Sequence, residues 1–390
     1  MLPRTLAETL RRLAQSFPVV AITGPRQSGK TTLARAVFAD KPYVSLEDPV
    51  ERAFALEDPC GFLARFEQGA LFDEAQRWPD LFSHLQGMVD AQRAPGRFVL
   101  TGSQQFGLLA GVTQSLAGRV GLTRLLPLAL DELPAASQQR SIDSVMLLGG
   151  YPVVHTQPVT LADWFASYVA TYLERDVRQV LNVQDLGTFQ RFLRLCAGRS
   201  GQLLNLSALA GEAGISHSTA RAWLSVLESS DLVFLLPPFH RNFGKRLVKT
   251  PKLYFLDVGL ACWLLGIRSA DVLALHPSRG ALFETWVVSE FVKSRCNLGL
   301  PADLHFWRDN NGLEAHLVFE VGTRLQPVEI KSGQTVTRDY INAGHASARF
   351  AGDEALPPWL IYGGNESCER SGLRVLGWRD ITAAVSPGPT

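Results

Sequence analysis

The sequence predicts an α/β protein in three parts: a three-layer domain with a parallel sheet, a helical and winged-helix module, and a second α/β domain. Three stretches carry this reading. Residues 19–23 are a run of β-formers that passes through Gly24-Pro25-Arg26-Gln27-Ser28-Gly29-Lys30-Thr31-Thr32 into residues 33–38, which read as a helix. Ala70-Leu71-Phe72-Asp73-Glu74 is a short apolar strand ending in two acids. Farther on, two helical patterns at 206–213 and 217–229 precede two strands, and residues 326–331 end a hairpin with a Glu-x-Lys triplet.

In the first stretch, strand, Gly-rich loop and helix form the context that a phosphate-binding loop requires. Gly24 and Gly29 let the backbone bend until successive N–H groups face one anion, with the positive end of a helix behind them. The expected nucleotide-binding set is Gly24, Pro25, Arg26, Gln27, Ser28, Gly29, Lys30, Thr31 and Thr32. Lys30 can reach the β- and γ-phosphates of ATP, and the Thr31 hydroxyl can ligate Mg²⁺. In the second stretch Asp73 is expected to hold Mg²⁺ through water, and Glu74 to orient and deprotonate the attacking water.

Around these motifs, residues 6–17 carry apolar side chains at helical spacing. Residues 43–46 read as a second strand, and Glu47-Asp48-Pro49 breaks it and opens a helical stretch through Phe66. Residues 97–103 form another strand, whose polar end at Thr101 and Ser103 would sit beside the nucleotide and sense the γ-phosphate. A strand inserted between the loop strand and the acidic strand, together with Glu74, points to the additional-strand, catalytic-glutamate branch of P-loop ATPases. Residues 122–128 are expected as the last strand. Arg119 is the candidate arginine finger or sensor, and a structural pairing with a carboxylate is the competing reading.

The motifs G-P-R-Q-S-G-K-T-T, L-F-D-E-A-Q, L-T-G-S-Q and L-A-G-R-V resemble a large prokaryotic AAA-type ATPase family with a characteristic C-terminal region. Gly149-Gly150-Tyr151-Pro152, residues 172–177 and residues 252–260 are similar to that region's signatures. The resemblance covers about residues 15 to 335. It implies an ATPase and an architecture, and no pathway.

Bulk properties narrow the classes. With 38 Lys and Arg against 37 Asp and Glu, the net charge of +1 argues against a strongly basic nucleic-acid coat protein but leaves room for a local basic face. The start, Met1-Leu2-Pro3-Arg4, lacks the apolar core of a signal peptide, and no apolar run of spanning length occurs, so no membrane role is expected. Five scattered cysteines, none in C-x-x-C spacing, read as reduced thiols of a cytoplasmic protein.

The expected domains are an AAA-type P-loop ATPase domain at 1–135, a linker and helical segment at 136–200, a winged-helix module at 201–265 and a final domain at 266–390. Residues 128–143 are polar and rich in Ala and Gln, as a linker would be, and residues 161–181 look helical throughout, with Arg175 near the end suited to an ion pair. Ser207 and Ser216 are the expected N-caps of the two helices of the helix-turn-helix. No acidic residue interrupts residues 240–252, so Arg241, Lys245, Arg246, Lys249 and Lys252 read as a basic wing for phosphate contacts. Arg221, with His217, is the base-reading candidate on the second helix.

In the last domain an amphipathic helix at 281–291 precedes strands at 305–307, 315–321 and 326–331. This order resembles the restriction-endonuclease-like fold. There an Asp of the hairpin and the Glu of E-x-K bind a divalent metal while the Lys steadies the attacking hydroxide. Glu329 and Lys331 match the triplet, and Glu284 lies on the preceding helix. Relatives carry E-V-D where this chain reads Glu314-Ala315-His316, so His316 replaces the Asp. Imidazole suits Mn²⁺ better than Mg²⁺, which marks Glu284, His316, Glu329 and Lys331 as a degenerate nuclease site.

The resulting expectation is an ATP-hydrolysing, Mg²⁺-dependent, homo-oligomeric protein that couples turnover to conformational change on DNA, branched or single-stranded. Two alternatives stand beside it: an ATP-gated metal-dependent nuclease, and a signalling switch that acts on protein partners alone.

Overall fold

The computed structural model describes residues 2–102, 115–172, 185–239 and 249–385. The chain forms two compact units. One comprises Met1–Leu128 with Ser229–Asp231 and Arg295–Leu300, and the other comprises Ala129–Glu228, Leu232–Ser294 and Pro301–Thr390.

In the first unit β1 (Val19–Thr23), β2 (Tyr43–Ser45), β3 (Ala70–Asp73), β4 (Phe98–Thr101) and β5 (Val120–Arg124) build a parallel sheet in the order β2-β3-β4-β1-β5. The strand expected between the loop strand and the acidic strand is β4, which pairs with both. Side chains alternate across the sheet as strand geometry requires. Val19, Ala21, Ala70, Phe72, Phe98 and Leu100 enter one core with Phe62, Trp78 and Leu85. Val20, Ile22, Leu71 and Val99 enter the other with Leu6, Leu10, Leu33 and Ala34. Both faces are covered, which is why the strands read as continuous apolar runs.

Two sequence expectations shift here. The last strand starts at Val120 and ends at Arg124, rather than spanning 122–128. The helical stretch after Pro49 is two helices, Pro49–Glu57 and Pro59–Ala64. Asp48 and Asp58 cap them by accepting from Val50 N and Gly61 N, and a proline follows each cap, where its missing N–H is no loss.

The second unit begins with the segment expected as a linker, and the structure corrects that expectation. Leu130 and Leu133 are buried, Glu132 is 2% exposed, and helices run over Leu130–Glu132 and Ala135–Gln138. The buried Glu132 carboxylate accepts from Ala129 N, and that of Glu290 accepts from Leu130 N, so these polar groups are satisfied inside the fold.

In the segment expected as a helix-turn-helix, helices run over Leu206–Ala213 and His217–Ser229. Its first N-cap is Asn205, whose side chain accepts from Ala208 N, and not Ser207, which lies inside the helix. Ser216 does cap the second, accepting from Thr219 N. The strands β6 (Gln202–Leu203), β7 (Val233–Leu236) and β8 (Lys252–Phe255) add an antiparallel sheet in the order β6-β8-β7.

The remaining strands are β9 (His305–Arg308), β10 (Glu314–Val321), β11 (Arg324–Lys331), β12 (Trp359–Tyr362), β13 (Cys368–Arg370) and β14 (Leu373–Gly377). They form one sheet in the order β13-β14-β12-β11-β10-β9, antiparallel through β9, β10 and β11 and parallel through β11, β12 and β14. Sequence reading missed β12, β13 and β14, placing only a completion of the domain after residue 344. The helix Arg338–Ala348 packs Ile341 on Leu360, Leu373 and Val375 of that sheet. Among the described residues no helix is long and apolar enough to cross a membrane.

Candidate active site

The phosphate loop has the backbone its sequence demands. Gly24 sits at φ +137°, and a Cβ there would lie 2.2 Å from the Leu125 carbonyl oxygen, so no other residue fits between β1 and β5. Gln27 takes a positive φ of 60°, turning the loop before Gly29 opens the helix Lys30–Val37. Arg4, which sequence reading did not single out, donates to Ser28 O and Leu126 O at 2.8 and 2.6 Å and ties the loop down.

Lys30 is 6% exposed and folded back on the loop, donating to the carbonyls of Gly24 and Pro25 at 2.9 and 2.7 Å. Burial lowers its pKa to about 8, a shift that Arg26 adds to and Glu74, Asp231 and Asp73 oppose.

The acidic strand brings Asp73 to the same place. Its carboxylate accepts from Thr31 at 2.9 and 3.1 Å and from Tyr43 at 3.0 Å, and it takes a further, short hydrogen bond from Thr101. Thr101 is thus an orienter of Asp73 at the tip of β4. Tyr43, whose ring lies 4.7 Å from the Arg35 guanidinium, was not foreseen, because a strand tyrosine carries no motif. Glu74 follows in a left-handed conformation, φ 55° and ψ 45°, and accepts from Gln76 Nε2 at 2.6 Å. A left-handed glutamate is a strained backbone of the kind that collects at functional sites. The hydroxyl and carboxylate oxygens of Thr31 and Asp73 are the hard donors that suit Mg²⁺, so the residues fit that ion.

Arg119 is not beside this site. Its guanidinium pairs with Asp90 at 2.6 and 2.8 Å on the surface, and its carbonyl accepts from Val19 N at the amino end of β1. The phosphate loop leaves the opposite, carboxyl end of that strand, so Arg119 does not act as a sensor for its own chain's nucleotide. Ser103 lies outside the described residues.

In the second unit the structure joins the four degenerate-nuclease candidates and adds three more. His316 Nδ1 lies 2.9 Å from Glu329 Oε2, His316 Nε2 lies 3.7 Å from Glu284 Oε2, and Lys331 pairs with Glu329 at 2.8 Å. Lys252, expected on the basic wing, is corrected: it is 3% exposed, donates to Glu284 Oε1 at 2.9 Å and pairs with Glu314. Tyr254 donates to the same Glu284 oxygen at 2.6 Å. Burial lowers the His316 pKa, but the Glu284 and Glu329 carboxylates outweigh it and hold the imidazole above its ordinary value. Burial likewise raises both carboxyls, and His316 and the lysines bring them below theirs. Sequence alone hinted at Lys252 only through the alternation Lys252, Tyr254 on one strand face.

Of the candidate DNA contacts, Arg221, His217 and Lys249 are exposed, and Arg241, Lys245 and Arg246 lie outside the described residues, as does Arg175.

A family profile described as an AAA domain matches residues 16–134, and two profiles described as domains of unknown function match residues 139–271 and 279–381. Among solved structures, the Walker-type ATPase of Pyrococcus abyssi is 15% identical, covering 66% of this chain and 94% of its own at a TM-score of 0.45. The RuvB Holliday junction branch migration motor of Thermotoga maritima is 19% identical, covering 60% and 87% at a TM-score of 0.29. The first unit holds an AAA-type P-loop ATPase domain, as its sheet order and its profile agree. Uncharacterized proteins of Mycobacterium tuberculosis and Mycobacterium bovis are each 36% identical over 336 residues, spanning 85% of this chain and 74% of theirs. The chain belongs to the family of these two mycobacterial proteins.

Proposed function

We propose that the protein binds and hydrolyses ATP with the residues gathered around Asp73. The observation that carries this reading is the convergence of Thr31, Asp73 and Thr101, with Glu74 next in the chain. Thr31 and Asp73 would hold Mg²⁺, which when bound neutralises phosphate charge. Lys30 leaves the Gly24 and Pro25 carbonyls to meet the β- and γ-phosphates, while the loop's N–H groups cradle them. Tyr43 and Thr101 keep Asp73 in one orientation. Glu74 orients the attacking water and accepts its proton. The test is Glu74→Gln: ATP binding stays near wild type, and turnover drops by about 10²-fold or more. Normal turnover in that variant would remove Glu74 from the role of base.

The chain's partners follow from the same reading. Arg119 lies away from its own loop, and a homo-oligomer in which a neighbouring copy supplies the arginine is the proposed working form. Exposed Arg221 and Lys249 favour DNA as the effector that turnover responds to. ATP turnover with and without duplex, single-stranded and branched DNA at low salt tests this. Stimulation that fades as salt rises supports it. Turnover indifferent to all three moves the effector to a protein partner.

A further inference from the structure

Among the described residues Glu284, Glu314 and His316 offer one ligand atom each, all within 4.8 Å of one another. The space between them is not free. We propose that the Lys252 ammonium is the resident cation of this cluster, so that the second unit holds a divalent-cation site kept shut by its own chain.

An ammonium has three N–H directions and no lone pair. One of Lys252's points to Glu284 Oε1 at 2.9 Å, and on a second side the ammonium forms an ion pair with Glu314 Oε1. The third side is taken by the face of Phe306, whose ring centre lies 5.6 Å away. The lysine is therefore neutralised by two carboxylates where it stands. It is also fixed there, because β8 is the central strand of its sheet: Lys252 pairs with Leu203 on one side and Leu236 on the other. Tyr254, two residues on and on the same face, steadies the same Glu284 oxygen.

Charge gives the second argument. The carboxylates of Glu284, Glu314 and Glu329 already meet the cations of Lys252, Arg308 and Lys331, and His316 lies against Glu284 and Glu329 as well. A divalent ion added to that set would face the ammonium across the two oxygens it needs. Remove the ammonium, and the Glu284 and Glu314 carboxylates and the His316 ring are left facing one another, with ligand atoms within 4.8 Å. The donor set of two carboxylates and one imidazole suits Mn²⁺.

The test uses the full chain, stripped of metal and without nucleotide, titrated with Mn²⁺ and read by electron-spin-echo modulation from imidazole nitrogen. That signature separates this site from the oxygen-only ligands of the ATPase domain. Wild type and Lys252→Arg are expected to show no nitrogen-coupled Mn²⁺. Lys252→Ala is expected to bind one Mn²⁺ per chain at least tenfold more tightly than wild type, with nitrogen coupling that disappears when His316→Gln is added. Nitrogen-coupled Mn²⁺ in wild type overturns the proposal, and so does a folded Lys252→Ala that gains no ion. If Lys252→Ala does not fold on its own, Mn²⁺ is expected to restore its folding, and failure of that rescue overturns the proposal as well.

Discussion

The Thr31 hydroxyl donates to both oxygens of the Asp73 carboxylate, at 2.9 and 3.1 Å. A residue of the phosphate loop and a residue of the acidic strand are thereby held as one unit before any nucleotide arrives. The Thr31→Ala substitution removes an ion ligand and this bond together. A hydrogen bond to a charged group contributes about 1.5–3 kcal/mol, or roughly tenfold to a hundredfold. Isothermal titration is expected to show that loss for Mg²⁺-ATP and little change for ATP in EDTA. Equal losses in both conditions would detach Thr31 from the metal.

Lys30 titrates near 8 because burial disfavours its charge. Phosphates restore the charge, so binding at pH 8 takes up about half a proton, and at pH 6.5 almost none. Titration of a non-hydrolysable ATP analogue in Tris and in HEPES should give heats that differ at pH 8 and agree at pH 6.5. Heats that agree at both values would mean that Lys30 is already charged in the resting loop.

The cluster around His316 predicts a stability window. His316 is raised above 6.5, so its contribution is complete below that value and is lost as pH rises through the folded pKa. Glu284 and Glu329 are lowered below 4.5, so theirs is complete above that value and is lost as pH falls through the folded ones. Melting temperature of the wild type is expected to be flat between about 4.5 and 6.5 in this respect and to fall on both sides. His316→Gln should abolish the alkaline fall. An unchanged alkaline limb would assign it to another group.

Gly149 and Asp257 join the two signature segments of the C-terminal half, residues 149–152 and 252–260. Asp257 accepts from Gly150 N at 2.7 Å and from Leu260 N at 2.8 Å. Gly149 sits at φ 67°, ψ −167°, and a Cβ there would approach the Asp257 carboxylate to 2.5 Å. Gly149→Ala meets both a backbone region closed to other residues and that contact, and should cost about 3 kcal/mol in chemical denaturation. A loss below about 0.5 kcal/mol, the scale of an ordinary surface change, would show that the turn relaxes freely.

The sequence by itself determined the ATPase motif. Gly24 through Thr32 are contiguous, so a single strand, turn and helix place all of them, and Asp73 and Glu74 need only the next buried strand to reach the same edge. Local chain geometry suffices there. It also determined the E-x-K pair, since residues two apart on β11 share a face. The tertiary structure alone decided what lies between such segments. Arg119 looked like a nucleotide sensor until strand direction set it at the far end of the sheet. Lys252 looked like a surface cation because its neighbours in sequence are basic, yet β8 is flanked on both sides and its alternate side chains turn inward. A charge enters such a place when opposite charges from elsewhere await it. Here they come from the helix Arg279–Asn297 and from β10, and no pattern along the chain announces that meeting.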